Sequence, residues 1–271
     1  MKGPFPRLLM AAGLSASLIF ISGRAGAYQE KPVTNGGSLH GKVTFSGTVP
    51  RPQVYRVRDF PNFDYCRKKA DALGNREVQP VRVGENGALR DAIVVIEDVD
   101  GGKPFHFEGA RVNSEDCDFV VQGGPSPLLG VLVDDSELQI LNLDADPTHP
   151  ETIQGVMHNP QGLEILGDKK KLLFKLVISL KGQTSKRKVH FKNKGDYLLV
   201  MCDVHTYMQS YFLQVNNPYY AVVDGNGNYS IDKIPPGNYT VTAWNPSLGK
   251  IQKEITIRPN GTAELEFQFE N

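Results

Sequence analysis

The stretch "YLLVMCDVHTYMQSYFLQV", residues 197–215, decides how this chain is interpreted. Its centre places Cys202, His205 and Met208 at the spacing Cys-x2-His-x2-Met, between two apolar runs. The apolar flanks predict a strand on each side of a tight loop that can wrap a single metal ion. Because the motif is short, the alternative is that the cysteine lies near the histidine by chance and binds no metal.

The three side chains are ligand types of a one-electron copper site. Two imidazoles, one thiolate and a long axial thioether suit both Cu(I) and Cu(II). The second imidazole must come from elsewhere, and His158 in "GVMHNPQG" is followed by Asn159, which can hydrogen-bond to the cysteine loop and fix the geometry. His149 in "DPTHPE" is the other candidate. We favour His158, and the choice between the two histidines stays open at this point.

The N-terminus has the features of a secretory signal. A basic start, "MKGPFPR", is followed by the apolar run "LLMAAGLSASLIFISG" and by Ala25 and Ala27 in a small-x-small pattern. This predicts a signal peptide at residues 1–27 that is cleaved, and a periplasmic or secreted protein. A retained membrane anchor is the alternative, but the run is short for a span of about 20 residues.

The chain has three cysteines, and three thiols cannot all pair within one molecule. Because thiols outside the cytosol usually pair, we expect a disulfide between Cys66 and Cys117 and a free Cys202. A buried free cysteine can also be a small apolar core residue that binds no metal.

Zinc is an alternative metal for the Cys-x2-His-x2-Met motif, but structural zinc sites rarely use methionine.

The pattern along the chain predicts an all-β protein. Short segments rich in Val, Ile and Phe, separated by Gly, Asn, Asp and Pro, indicate successive strands, with one short helix at "DYCRKKADAL". We expect a polar tether at residues 28–38, a copper-binding domain at 39–217 and a second β-sandwich at 218–271. In the last of these, "DGNGN" and "PNGT" predict hairpin turns.

Charge and motifs exclude several function classes. Lys and Arg number 30 against 30 Asp and Glu, so nothing indicates a nucleic-acid binder. No Gly-x-Ser-x-Gly, HExxH or P-loop motif is present, and we expect no enzyme activity. Residues 168–194 carry ten Lys or Arg against one acid, Asp168. These are either solvated strand faces or a docking face for an acidic partner.

Two motifs carry a resemblance to a known family. "HN" at 158 and "CDVHTYM" at 202–208 resemble the cupredoxins, with the short ligand loop of amicyanin. "GKVTFSGTVPRP" and "NNPYYAVVDGNGNYSIDKIPPGNYTVTAW" are similar to exported plastocyanin-like proteins with a C-terminal carboxypeptidase regulatory-like domain. The resemblance implies a cupredoxin-like β-barrel or sandwich, then a small prealbumin-like sandwich. It also implies one type 1 copper ion held by His158, Cys202, His205 and Met208.

The function implied is a periplasmic carrier of single electrons. Its partner would be a redox protein such as a cytochrome, docked through residues 168–194, with His205 on an exposed loop as the exit for the electron. Two alternatives stay open: a copper-handling protein, and a binding or structural module with a lapsed metal site. Only five methionines are present, and Met1 and Met10 lie in the predicted signal, which favours electron transfer over copper handling.

Overall fold

The structure, a computed structural model, describes residues 28–146, 152–192 and 197–270. The predicted signal peptide at 1–27 and the alternative ligand His149 lie outside the described residues. Within the described ranges, no helix has the length and apolar character needed to cross a bilayer.

The described residues confirm the all-β prediction. The helical residues are few: one α-helix and three short 3-10 turns, so the helix predicted within 64–73 is reduced to α1 (Phe63–Cys66) and the turn Arg67–Lys69 that follows it. The strands are β1 (Gln29–Glu30), β2 (Gly37–Ser46), β3 (Gln53–Arg56), β4 (Asn75–Val78), β5 (Ile93–Ile96), β6 (Gly101–Gly102), β7 (Ala110–Ser114), β8 (Phe119–Val121), β9 (Leu129–Leu132), β10 (Ser136–Asn142), β11 (Gln154–His158), β12 (Pro160–Leu166), β13 (Lys169–Lys175), β14 (Ile178–Leu180), β15 (Thr184–Val189), β16 (Tyr197–Cys202), β17 (Gln209–Gln214), β18 (Tyr220–Val222), β19 (Asn228–Ile234), β20 (Gly237–Asn245), β21 (Gly249–Ile257), β22 (Thr262–Glu264) and β23 (Phe267–Glu270).

Two open sheets form the part of the fold that carries the Cys-x2-His-x2-Met loop. One has the strand order β13-β12-β16-β17-β9, and the other has the order β15-β10-β7-β8. β16 and β17 are antiparallel neighbours, with Met201 opposite Gln209, so the loop is the connection of a hairpin. Leu198 and Phe212 of the first sheet share one buried cluster with Ile140 of the second. The loop therefore leaves the end of a packed sandwich.

A second sandwich contains strands from both ends of the described chain. Its sheets have the orders β18-β5-β20-β21 and β19-β2-β22, and β23 also pairs with β2. Leu39 and Val43 of β2 lie in one buried cluster with Tyr219 and Phe269. The predicted boundary between 39–217 and 218–271 therefore does not follow the packing. Residues after 218 cannot close this sandwich alone, because β2 supplies the hydrogen-bonding partner of β19, β22 and β23.

The segment 28–38 is packed and is not a free tether. β1 pairs in parallel with β6, and β2 already begins at Gly37. The ring of Tyr28 contacts the rings of Phe105 and Tyr219, with centroids 6.0 and 6.4 Å apart. The polar composition of this segment reflects exposed strand positions, not freedom from the fold.

Strand β5 joins the two sandwiches. Its sequence, "IVVI", is buried on both faces, as expected of a strand packed on two sides. Val94 and Ile96 lie in the core of the second sandwich. Ile93 and Val95 point the other way, into a third cluster that also holds Trp244. Trp244 is 1% exposed. The same cluster contains Leu129 and Leu213 of the first sandwich, so it packs the two sandwiches against each other.

We predict that Trp244→Ala lowers the free energy of unfolding by about 3–5 kcal/mol, because it removes a large buried ring from the joint between the sandwiches. Chemical denaturation followed by circular dichroism measures this free energy. Tryptophan fluorescence cannot be used, because Trp244 is the only tryptophan and the variant lacks it. Leu73→Ala is the control, because Leu73 is 71% exposed. Equal stability of the two variants would contradict the role of Trp244.

Candidate metal centre

The site forms where three strand ends meet. Cys202 is the last residue of β16, and the loop to β17 carries His205 and Met208. β12 pairs with β16 so that Pro160 lies opposite Cys202. His158 ends β11, just before β12. Sheet pairing therefore brings a histidine and a cysteine together although they are far apart in the sequence.

The structure brings together the donor atoms of three predicted ligands. Nδ1 of His158 lies 3.3 Å from Nδ1 of His205, and Cys202 Sγ lies 3.7 Å from the same Nδ1 of His205. The three donor atoms all lie within 4.8 Å of one another. His158, Cys202, His205 and Met208 are each 0% exposed. A cluster of nitrogen and sulfur donors is thus enclosed away from solvent.

Backbone hydrogen bonds fix the shape of the loop. The Cys202 amide donates to the Met208 carbonyl at 3.1 Å, and the Met208 amide donates to the His205 carbonyl at 2.8 Å. Asn159 links the two ligand segments through its backbone, whereas the sequence prediction concerned its side chain. Its amide donates to Cys202 Sγ at 3.4 Å, and its carbonyl accepts from the Asp203 amide at 2.9 Å.

The far nitrogens of both imidazoles have hydrogen-bond acceptors. His158 Nε2 lies 2.8 Å from Asp144 Oδ2, and His205 Nε2 lies 2.9 Å from the Pro61 carbonyl oxygen. A carbonyl can only accept, so Nε2 of His205 carries a proton. Acceptors at Nε2 favour the tautomer in which Nδ1 is free to bind a metal. Both imidazoles therefore present Nδ1 towards the Cys202 sulfur.

Electrostatics favour the thiolate form of Cys202. Burial opposes ionisation, but hydrogen bonds from His158, His205 and the Asn159 amide outweigh it and lower the pKa of Cys202 to about 6. Burial also disfavours a charged imidazole, yet the hydrogen bond to Asp144 and the contact with Cys202 raise the pKa of His158. The thiolate is the form of cysteine that binds metals.

The cover over the loop was not predicted. We expected His205 to lie on an exposed loop, but its side chain is fully buried. The segment 57–69, which contains α1, lies over it and supplies the Pro61 carbonyl. Cys66 of this segment forms the predicted disulfide with Cys117, leaving Cys202 free and buried. Cys66 Sγ lies 3.8 Å from His205 Nε2, so the disulfide is part of the wall around the site.

Two further side chains at the site were missed from the sequence. Asp144 follows β10 and is 0% exposed; in the sequence it is one of two acids, Asp144 and Asp146, after an apolar strand. Tyr207, two residues after His205 in the loop, is 2% exposed. Its ring lies 5.9 Å from the His205 ring and 5.8 and 5.2 Å from those of Tyr55 and Phe60.

Other groups of potential ligands among the described residues are less suited to a metal. Cys117, Asp144 and His158 also cluster, but the sulfur of Cys117 is already in the disulfide. Asp134, Asp135 and His190 are exposed carboxylates and an exposed imidazole on the surface. The donor set of His158, Cys202 and His205 therefore fits a metal best.

A comparison of sequence families matches only part of the chain. The family model described as polysaccharide lyase family 4, domain II, matches residues 183–265. These residues run from the first sandwich into the second. The carboxypeptidase regulatory-like assignment of 218–271 stays a prediction. No curated protein matches the sequence.

Solved structures with a likeness to this chain include copper proteins. A copper-containing nitrite reductase from Thermus scotoductus SA-01 is 12% identical over 42% of this chain and 24% of its own length, with a TM-score of 0.28. A purple cupredoxin from Nitrosopumilus maritimus is 17% identical over 39% of this chain and 99% of its own, with a TM-score of 0.27. A Cu(I) structure of an amicyanin variant is 10% identical over 41% and 86%, at 0.25. The chain thus spans about a quarter of the nitrite reductase. The evidence for a metal centre is the arrangement of donor atoms and hydrogen bonds in this chain.

The donor chemistry of the site fits copper. Two imidazole nitrogens and one thiolate match the nitrogen and sulfur set that copper takes in one-electron sites, and Met208 of the same loop is buried. Zinc would accept the nitrogens and the thiolate but gains nothing from Met208. The residues present therefore fit the copper ion that the sequence predicts.

We predict that the thiol of the metal-free chain ionises with a midpoint near pH 6. Because Cys202 is the only free cysteine, the ultraviolet absorbance of the thiolate reports it directly. The signal should be low in acid and rise through the midpoint as pH increases. Cys202→Ser is the control and should show no such transition. A midpoint at about 8.5, the value of an ordinary thiol, would contradict the described hydrogen bonding.

Proposed function

We propose that this chain binds one copper ion through His158, Cys202, His205 and Met208 and carries single electrons in an exported compartment. The observation that supports this most is the cluster of three donor atoms within 4.8 Å, with both Nδ1 atoms turned towards a buried sulfur. When bound, copper would supply a one-electron couple between Cu(II) and Cu(I).

The protein's own contribution is to hold the ligands still. Cys202 and His158 end strands, and three backbone hydrogen bonds fix the loop between Cys202 and Met208 to itself and to Asn159. Preorganised ligands limit the rearrangement that accompanies a change of charge. The lack of exposed ligand surface also keeps water away from the site.

Burial of the ligands also bears on the alternatives. A protein that stores or delivers copper needs a ligand that an incoming partner can reach, whereas all four proposed ligands are 0% exposed. A catalytic metal site keeps a position open for substrate. The enclosed site therefore favours electron transfer over copper handling, and we propose that the protein is not an enzyme.

Aromatic rings connect His205 with the protein surface. The Tyr207 ring lies 5.9 Å from the His205 ring. It also packs against the rings of Tyr55 and Phe60, which are partly exposed. The guanidinium of Arg76 lies over the Tyr207 ring, 4.7 Å from its centroid. Because His205 itself does not reach the surface, we propose that electrons pass between His205 and the surface through these rings.

The basic stretch gives a proposed docking surface. The described lysines and arginines of 168–192 are all exposed, and β13 and β15 are each the edge strand of a sheet. Lysines on edge strands also protect against unwanted strand pairing, which explains part of the pattern. Lys175 lies 2.5 Å from Asp203, the residue after Cys202, so one end of this surface adjoins the ligand loop. We propose an acidic redox protein, such as a cytochrome, as the partner.

We predict that copper-loaded Cys202→Ser loses the intense visible band of the wild-type protein, because that band needs charge transfer from a thiolate to copper. Absorption spectra after addition of one equivalent of Cu(II) measure this. His106→Ala is the matched control, since the His106 side chain is 86% exposed and outside the site, and it should keep the band. A colourless wild-type protein with bound copper would contradict the proposed function.

We predict that Tyr207→Leu slows electron exchange with a small soluble redox complex by severalfold, because it removes the ring that contacts both His205 and Tyr55. Stopped-flow mixing measures the rate, and voltammetry checks that the reduction potential is retained. Tyr211→Leu is the control, because the Tyr211 ring contacts Tyr197 instead. Equal rates for both variants would exclude this route.

A further inference from the structure

Asp144 is a buried carboxylate with three hydrogen-bond donors from three parts of the chain. Its Oδ2 lies 2.8 Å from His158 Nε2 and accepts from the Cys117 amide at 3.2 Å. Its Oδ1 accepts from the Tyr65 hydroxyl at 3.1 Å. The side chains of Asp144 and His158 are both 0% exposed, so water does not compete for these bonds.

The backbone of Asp144 is held as firmly as its side chain. Its amide donates to Asn142 Oδ1 at 3.2 Å, and its carbonyl accepts from the Val156 amide at 3.0 Å. Gly155 permits this close approach, because a Cβ at that position would lie 2.7 Å from the Asp144 carbonyl oxygen. The backbone of Asp144 is therefore bound to β11 at Val156, two residues before His158.

Stability alone does not account for this arrangement. Taking a carboxylate and an imidazole out of water costs free energy comparable to their attraction, and buried ion pairs are often replaceable by apolar residues without loss of stability. A carboxylate on the far nitrogen of a metal-binding histidine has a definite effect, however. It fixes the tautomer and the ring orientation and makes the near nitrogen a stronger donor.

We propose that Asp144 is a positioning residue for the copper ligand His158, holding its Nε2–H so that Nδ1 is directed at the metal and enriched in electron density. This rests on the proposed function and adds a residue to it. The Cys117 amide is one of the groups that orient Asp144, so the Cys66–Cys117 disulfide contributes to the alignment of His158 as well as to the wall beside His205.

The test compares the full-length wild-type chain with Asp144→Asn, which keeps the shape of the side chain and removes its charge. Copper affinity is measured by competition with a chelator, and the reduction potential by voltammetry. We expect Asp144→Asn to bind Cu(II) about 10–100-fold more weakly, the usual effect of losing such a partner. We also expect a higher reduction potential, because a negative charge near the site favours Cu(II) over Cu(I).

Ser126→Ala is the matched control. It also removes a buried hydrogen bond to a carboxylate, from Ser126 Oγ to Asp91 Oδ1 at 2.6 Å, and the hydrogen bonds of Ser126 involve neither Asp144 nor a proposed ligand. It should lower the melting temperature and leave copper affinity and potential unchanged. Asp144→Asn with a lowered melting temperature but wild-type affinity and potential would show that Asp144 is only structural and would overturn the proposal.

A second measurement on the wild-type chain keeps the proposal testable if Asp144→Asn does not fold. In the Cu(I)-loaded protein, nitrogen NMR should show His158 with a slowly exchanging proton on Nε2 and metal on Nδ1. Metal on Nε2, or a rapidly exchanging Nε2 proton, would overturn the role of Asp144 while leaving copper binding intact. A wild-type chain that binds no copper would instead overturn the proposed function, and this proposal with it.

Discussion

The structure depends on the burial of three donor atoms, the Cys202 sulfur and Nδ1 of His158 and His205, at one end of an apolar sandwich. Polar atoms in such a place need partners, and those on the outer side of the site have them in Asp144, Pro61 and the Asn159 amide. The near atoms are turned towards one another, within 4.8 Å. A copper ion would bind all three donor atoms at once. The hydrogen bonds on the outer side of the site and the proposed metal on its inner side would together satisfy the buried polar atoms.

Burial distinguishes this site from the exposed loop that the motif suggested. The segment 57–69 and its disulfide to Cys117 close over His205, and the rings of Tyr207, Tyr55 and Phe60 lie between His205 and the surface. A covered site exchanges its metal less readily than an open one, and it has a low-dielectric surrounding in which charges such as Asp144 act strongly. Electron transfer tolerates such a cover, since no substrate has to reach the ligands.

The sequence contained the local part of this arrangement and not the long-range part. The hairpin around Cys202 could be predicted because its strands and loop are contiguous. Counting thiols predicted one disulfide and one free cysteine, and the pair Cys66–Cys117 was chosen from three possible pairs. Asp144, Pro61 and the pairing of β2 with the C-terminal strands could not, because they are fixed by sheet register and packing between residues far apart in sequence. Hydrophobic periodicity identifies strands and their faces, but it does not state which strand lies beside which.

We propose that one thiolate and two imidazoles of this chain hold a single copper ion. X-ray absorption spectroscopy of the protein loaded with one equivalent of copper tests it most directly, because it identifies the elements bound to the metal and their distances. We expect one short copper–sulfur bond and two copper–nitrogen bonds with the outer-shell scattering of imidazole, with copper at one ion per chain. A spectrum showing only oxygen and nitrogen neighbours, without a short sulfur bond, would contradict it.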